Sequence, residues 1–158
     1  MNFPQTPAIR FLEEHKCSFT PHLYEYEEHG GTAVSAAALN VDEHIVIKTL
    51  VMKNEKNAPL IILMHGDCKV SLKNLAREAG FKSIAPCTPE EAHKHTGYFV
   101  GGTSPFGTKK ALPIFVEASI LDLPTIYING GKRGFLVSLS PEVLTKSLKA
   151  KAVSVALS

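Results

Sequence analysis

Ile45-Val46-Ile47-Lys48-Thr49-Leu50-Val51-Met52 is an almost unbroken run of aliphatic, mostly β-branched side chains, interrupted by one cation and one hydroxyl. β-Branched residues pack well on a pleated surface, and a run without polar alternation predicts a strand covered on both faces. Lys48 is out of place in such a strand. It must snorkel to solvent, pair with an acid, or point into a polar cleft. The first two outcomes need no function. The third needs another segment to bring a complementary loop.

Working outward, Asn54 to Ala58 is a polar turn and Pro59 to Met64 a second apolar strand, so the two runs predict a hairpin. Upstream, Thr6-Pro7 starts a helix to about His15, with a hydroxyl at N-cap and proline at N1, and Ala8, Phe11 and Leu12 form its apolar stripe. Phe19 to Tyr26 predicts a strand whose Pro21 belongs at an edge, with Tyr24 and Tyr26 on one face. Gly30-Gly31 breaks it, and Thr32 is expected to cap an alanine-rich helix through Leu39. Downstream, Ser71 caps a helix that Gly80 ends, and Ser83 to Ala85 is a short strand. Thr88-Pro89-Glu90-Glu91 is a capping box launching a helix to His95, stopped at Gly97.

Tyr98 to Val100 is expected as the strand that delivers Gly101-Gly102-Thr103-Ser104-Pro105-Phe106-Gly107-Thr108-Lys109-Lys110. Glycine lets a ligand approach bare backbone, and proline restricts the residue before it. A loop of this composition can aim several N–H groups at one oxygen or anion, or can be a turn with no ligand. Ile114 to Val116, Thr125 to Ile128 and Phe135 to Leu139 predict three more strands, with a helical turn near Ile120. Asn129-Gly130-Gly131-Lys132-Arg133-Gly134 joins the last two strands. Ser140-Pro141 opens a helix to about Leu148, and Ala152 to Ala156 supplies a last strand. The order is α+β, without the regular alternation of a doubly wound sheet.

A chain of 158 residues, 44% hydrophobic and 20% charged, predicts a single domain spanning 1–158. A net charge of +2 neither demands nor excludes a polyanionic partner. Cys17, Cys68 and Cys87 are odd in number and widely spaced, as free thiols in a reducing compartment would be. No metal is expected, because neither the cysteines nor the His93/His95 pair shows zinc-like spacing. No signal segment and no stretch of about eighteen apolar residues occurs, so the expectation is a cytoplasmic protein that does not meet a membrane. Neither G-x-x-x-x-G-K-[ST] nor G-x-G-x-x-G is present, which disfavours a nucleotide phosphate loop.

Taken in register, Thr6-Pro7-Ala8, Tyr24-Glu25, Ile47-Lys48-Thr49-Leu50, Thr96-Gly97-Tyr98, Val100 to Gly107 and Gly130-Gly131-Lys132-Arg133-Gly134 resemble the YbaK/EbsC family. These are aminoacyl-tRNA deacylases related to the inserted editing domain of bacterial prolyl-tRNA synthetase. The resemblance implies one α+β domain, a mixed and partly closed β-barrel of about seven strands flanked by helices. It also implies hydrolysis of the ester between a wrong amino acid and the terminal adenosine of a tRNA. No cofactor is implied. Among the branches, the glycine loop and GGKRG turn are most similar to the Cys-tRNA(Pro) deacylases, for which the implied mechanism is attack by the substrate's own thiol.

By that resemblance Lys48 is the catalytic residue, neutralising developing charge or holding a terminal phosphate. Substrate contacts fall to Tyr24, Thr49, Gly101, Gly102, Thr103, Ser104, Pro105, Gly107, Asn129, Gly130 and Gly131. The tRNA would meet Lys109, Lys110, Lys132 and Arg133, with Lys146 to Lys151 as a further basic segment, and prolyl-tRNA synthetase is the implied protein partner. Strand alternation argues that Lys48 and Thr49 face opposite ways. Three positions depart from the Cys-specific pattern: Asn129 where serine is common, Leu136 where an acid is common, and Gly30-Gly31 where an aromatic is expected. Deacylation of another small amino acid, alanine or serine, therefore stays open, as does a non-catalytic module that binds an aminoacylated end or a synthetase.

Overall fold

The computed structural model describes residues 2–158. In chain order its elements are α1 (Pro7–Glu14), β1 (Thr20–Leu23), α2 (Gly31–Leu39), β2 (Val46–Asn54), β3 (Pro59–His65), β4 (Lys69–Val70), α3 (Leu72–Ala79), β5 (Ile84–Pro86), α4 (Pro89–Thr96), β6 (Ile114–Glu117), β7 (Ile126–Lys132), β8 (Phe135–Leu139), α5 (Glu142–Lys146), β9 (Lys151–Val153) and β10 (Ala156–Leu157). Single 3₁₀ turns precede β2 and follow β6.

The main sheet is mixed, in the order β1-β8-β7-β2-β3-β6-β9, with β5 also paired to β2. The β2/β3, β7/β8 and β1/β8 pairs are antiparallel, while β2/β7, β3/β6 and β6/β9 are parallel. No ladder among the described residues joins β1 to β9, so the barrel is open at that seam. Pro21 lies in β1, at the edge, where a missing N–H costs no ladder bond.

The β2–β3 hairpin is covered on both sides, as its composition requires. On one face Ala8, Ile9 and Leu12 of α1 and Leu144 of α5 pack with Ile47, Ile61, Leu63, Val116, Ile126 and Ile128. On the other, Leu75 and Ala76 of α3 pack with Met52, Leu60, Ile62 and Met64. Each fully buried aliphatic side chain of this kind contributes about 1.5–3 kcal/mol. The Thr6 hydroxyl accepts the N–H of Ile9 at 3.1 Å and donates to the Gly130 carbonyl at 2.5 Å. One side chain thus caps α1 and ties it to the end of β7.

Three local expectations are corrected. Thr32 does not cap α2, whose N-cap is Gly30 without a side-chain bond; its hydroxyl instead donates to Glu43 Oε2 at 2.7 Å, tethering the helix to the turn before β2. Tyr98 to Val100 is not a strand. Its backbone is claimed by other groups: Tyr98 N–H by Thr96 Oγ1 (3.1 Å), Tyr98 carbonyl by His93 Nδ1 (3.2 Å) and Phe99 carbonyl by Gly102 N–H (2.8 Å). Last, β7 runs on to Lys132 through a register shift, so the expected six-residue turn shrinks to Arg133-Gly134.

Candidate active site

The sheet is split beside β2. On the edge away from β3, β7 pairs only with Val46 and Ile47, and β5 pairs only with Met52 to Asn54. Between them, Lys48 to Leu50 have no strand partner on that side among the described residues. The Val51 carbonyl there accepts the Cys87 N–H at 3.0 Å. In a ladder the outward-pointing groups recur every second residue, so the N–H and C=O of Thr49 point into the same gap.

That gap is a cleft of about 800 Å³ lined by β2 from Val46 to Met52, by Tyr24 and Tyr26, by the start of α2, and by Val100, Gly101, Thr103, Asn129 and Arg133. Lys48 lies opposite Met64 in the ladder and Thr49 opposite Leu63, which belong to the two different cores. Their side chains therefore leave opposite faces, as alternation demands. Both residues nevertheless line the cleft, which opens at the edge of the sheet rather than on one face. Lys48 forms no salt bridge among the described residues. Thr49 Oγ1 is buried without a protein partner.

The glycine loop forms the opposite wall. Gly101 has φ +88°, and an added Cβ would stand 2.4 Å from the Tyr26 hydroxyl. Only a glycine lets that tyrosine lie across the loop. The Asn129 amide donates to the Gly101 carbonyl at 3.1 Å, and its oxygen accepts the N–H groups of Gly131 (2.6 Å) and Lys132 (3.2 Å). The Arg133 Nε–H donates to the Val100 carbonyl at 2.7 Å, with its guanidinium 5.2 Å from the Tyr26 ring centre. Asn129 and Arg133 thereby lock two loops distant in sequence into one wall.

The N–H of Gly102 is spent on the Phe99 carbonyl. The N–H groups of Gly101 and Thr103 have no protein acceptor among the described residues, and both residues line the cleft. A lysine and two free amides lining one cleft make a site suited to an oxygen that gains negative charge.

Among the described residues, the other titratable groups lining the cleft do not pair a nucleophile with a base. Burial, reinforced by the Glu91 carboxylate, pushes the Cys87 thiol up, so a thiolate is disfavoured there. Burial also raises the Tyr24 phenol, with Tyr26 adding to it. Glu27, Glu28 and His29 lie on an exposed turn. Away from the cleft, His44, Asp67 and Cys68 place ligand atoms within 4.8 Å of one another. His44 Nδ1 stands 2.8 Å from Asp67 Oδ1, a hydrogen-bond contact closer than two ligands of a tetrahedral zinc, which stand about 3.3 Å apart.

Of the residues expected at the site, Lys48, Thr49, Tyr24, Gly101, Thr103, Asn129 and Arg133 line the cleft together. Gly102 is buried behind it, where an added Cβ would meet the backbone of Arg133 at 2.7 Å. Ser104, Pro105 and Gly107 do not line it. Ser104 is fully buried and its hydroxyl accepts the Phe106 N–H at 3.2 Å, closing a local turn. Gly107, at φ +63°, lets the loop pass 2.4 Å from the Pro7 carbonyl measured from an added Cβ, a role in packing against α1. Gly130 and Gly131 play the same part beside Phe135 and beside Tyr98 and Thr6. Lys109, Lys110 and Lys132 are exposed outside the cleft. Sequence reasoning passed over Tyr26 as a site residue, although its shared face with Tyr24 was a usable signal.

Thr49→Val tests the orphan hydroxyl. An unpaired buried hydroxyl costs about 1–3 kcal/mol, so the variant is expected to be more stable by about 1 kcal/mol in urea unfolding. A loss of stability would show that the hydroxyl has a partner within the protein.

The fold and this cleft define a small editing-type domain, and comparison with known proteins agrees. The sequence profile of the aminoacyl-tRNA editing domain family matches residues 27–147, and the chain belongs to that family. It is 30% identical over 141 residues to a protein of Enterococcus faecalis named "Putative Cys-tRNA(Pro)/Cys-tRNA(Cys) deacylase EbsC", covering 89% of this chain and 86% of that one. It is 33% identical to the proline–tRNA ligase of Thermodesulfovibrio yellowstonii over 67% of this chain but 17% of the ligase. The crystal structure of hypothetical protein APE2540 superposes with a TM-score of 0.88 at 21% identity, over 96% of this chain and 99% of that one. The chain is thus an aminoacyl-tRNA editing deacylase of the YbaK/EbsC family.

Proposed function

We propose that this chain acts in trans on tRNA carrying a small wrong amino acid, with Cys-tRNA(Pro) as its substrate. The observation that carries the proposal is that Lys48, which forms no salt bridge among the described residues, lines one cleft with Gly101 and Thr103, whose amides have no protein acceptor among those residues. An aminoacyl ester is already activated and needs a positioned nucleophile and charge stabilisation, not a protein nucleophile. In the proposed step the substrate thiol attacks its own ester carbonyl, the new C–S bond replaces the C–O bond to the ribose, and the thiol proton passes to the departing ribose oxygen. Lys48 and the two amides stabilise the carbonyl oxygen. Water then opens the thiolactone to free cysteine.

The amino-acid side chain would lie against Val34, Val46 and Leu136, an apolar wall between α2, β2 and β8. Such a wall suits a thiol or a methyl group and offers nothing to a carboxylate or ammonium. Asn129 reads no side chain here, because its amide and oxygen hold the two loops together. The likeness to the ligase supports prolyl-tRNA synthetase as a partner that supplies tRNA specificity.

The test is a panel of tRNAs charged with Cys, Ala, Ser and Pro, incubated with the purified protein. Preferential loss of the cysteinyl ester is expected. Equal loss of the alanyl ester, which has no thiol, would overturn the substrate-assisted step in favour of attack by water and is the outcome that the apolar Leu136 wall would explain. Survival of every ester would overturn the catalytic reading.

A further inference from the structure

Phe99 is the most exposed large apolar side chain among the described residues, at 66%, and its neighbour Val100 is 50% exposed. Its ring is not loose. The His93 imidazole stacks on it with centroids 4.3 Å apart and planes 17° apart. His93 is itself held by a bond from Nδ1–H to the Tyr98 carbonyl at 3.2 Å. The Phe99 carbonyl accepts the Gly102 N–H at 2.8 Å and the Thr103 hydroxyl at 3.3 Å. One aromatic face is therefore covered and the remainder of the ring presented to solvent, on the turn that also offers Gly101 and Thr103 to the cleft.

The surroundings are mainly basic: the acids of α4, Glu90 and Glu91, lie in its first turn, and Glu91 is paired with Lys53 at 2.9 Å. From Ala92 to Val116 the chain has Lys94, Lys109 and Lys110 and no carboxylate. Lys109 and Lys110 are folded against the end of α4, their N–H groups donating to the carbonyls of Thr96 (2.9 Å) and His95 (3.1 Å). Lys132 and Arg133 join them, because Arg133 bonds the carbonyl of Val100. The nearest acids on the cleft, Glu27 and Glu28, belong to the turn before α2.

We propose that Phe99, backed by His93, is a stacking step for the unpaired base that precedes the terminal adenosine of the tRNA, with Lys94, Lys109 and Lys110 taking its phosphates. This rests on the editing reading above and extends it to the strand outside the cleft. An aromatic ring among cations is how single-stranded nucleic acid is gripped without sequence reading, at about 1–3 kcal/mol per stacked base. Gly101 is two residues from Phe99, at most about 7 Å along the backbone, so a base on the ring belongs to the nucleotide next to the one in the cleft. A protein partner would be better served by a broader apolar patch than this single ring in a basic surround.

The chain has no tryptophan, so Phe99→Trp introduces a single reporter. Titration with the RNA trinucleotide 5′-CCA-3′ is expected to quench its fluorescence saturably. Phe99→Leu, which keeps apolar bulk but loses the ring, should weaken binding of the same RNA about tenfold, and Phe99→Tyr should restore it. That ratio should hold at low and high salt, because stacking releases no counterions whereas lysine–phosphate contacts do. Quenching by prolyl-tRNA synthetase but not by RNA would overturn the proposal in favour of a protein contact. Equal RNA affinity of Phe99→Leu and wild type would also overturn it. If either occurs while the wild type still deacylates tRNA, the proposed function stands and only the stacking step falls.

Discussion

Lys48→Ala is expected to slow deacylation of Cys-tRNA(Pro), the proposed substrate, by about 100- to 1,000-fold while changing stability by less than about 0.5 kcal/mol. The separation of the two effects follows from the structure. Lys48 is half-buried in β2 and makes no ion pair among the described residues, so removing the ammonium leaves none of their charges without a partner. Its Cα pairs with that of Met64 in the ladder, and alanine keeps that backbone pairing. In the reaction the loss is larger. A full charge about 4 Å from a developing oxyanion is worth about 4 kcal/mol at an effective dielectric of 20, which sets the ceiling of the effect. Single-turnover release of radiolabelled cysteine, with a urea melt as control, checks both halves. Wild-type turnover in the variant would remove Lys48 from the mechanism. Lys48→Arg should be intermediate, since the charge is kept but the planar fork does not reach the same point.

Gly102→Ala is expected to cost about 2–3 kcal/mol of stability and at least tenfold in activity, although Gly102 is buried and does not line the cleft. Its added Cβ would stand 2.7 Å from Arg133 N, 2.9 Å from Lys132 C and 3.1 Å from Lys132 Cα. These are backbone atoms that cannot rotate aside, so the two loops must part, and overpacking of that kind costs about 1–3 kcal/mol. Parting them also strains the Asn129–Gly101 and Arg133–Val100 bonds that shape the wall. Gly101→Ala provides the contrast. There the obstacle is the Tyr26 side chain, which can swing away, and the cost that remains is the φ of +88°. Gly101→Ala should therefore destabilise less than Gly102→Ala. The reverse order by urea unfolding would show that backbone strain, not loop contact, governs this wall.

Much of the architecture could be read locally, and the reasons are visible in particular residues. Thr88 and Glu91 make their capping box and Ser71 its cap, because a hydroxyl and the N–H groups it serves lie within three residues. The aliphatic runs at β2 and β3 mark a strand pair that needs cover on both faces. Thr32 and Tyr98 to Val100 were misread for one shared reason. Their polar groups are satisfied by partners such as Glu43, His93, Thr96 and Arg133, some of them far away in sequence. The two-residue β4 and β10 pair only with each other and carry too little pattern to be found.

The site divides in the same way. Lys48 announces itself, since a cation in an otherwise aliphatic strand conflicts with its surroundings, and the glycines of 101 to 107 mark a loop with unusual backbone. Composition could not say which glycines line the cleft and which make room for neighbours. Gly101 and Thr103 present free amides, whereas Gly107, Gly130 and Gly131 exist to let α1 and the aromatic rings approach. That sorting depends on contacts between segments a hundred residues apart or more, such as Gly107 with Pro7 and Gly131 with Thr6. The amino-acid sequence alone determined that a strand, a lysine and a glycine loop exist; only tertiary structure decided that the sheet splits beside that strand. The split arises because β7 and β5 each pair with a different end of β2, and pairing between strands is a long-range choice that no local propensity encodes.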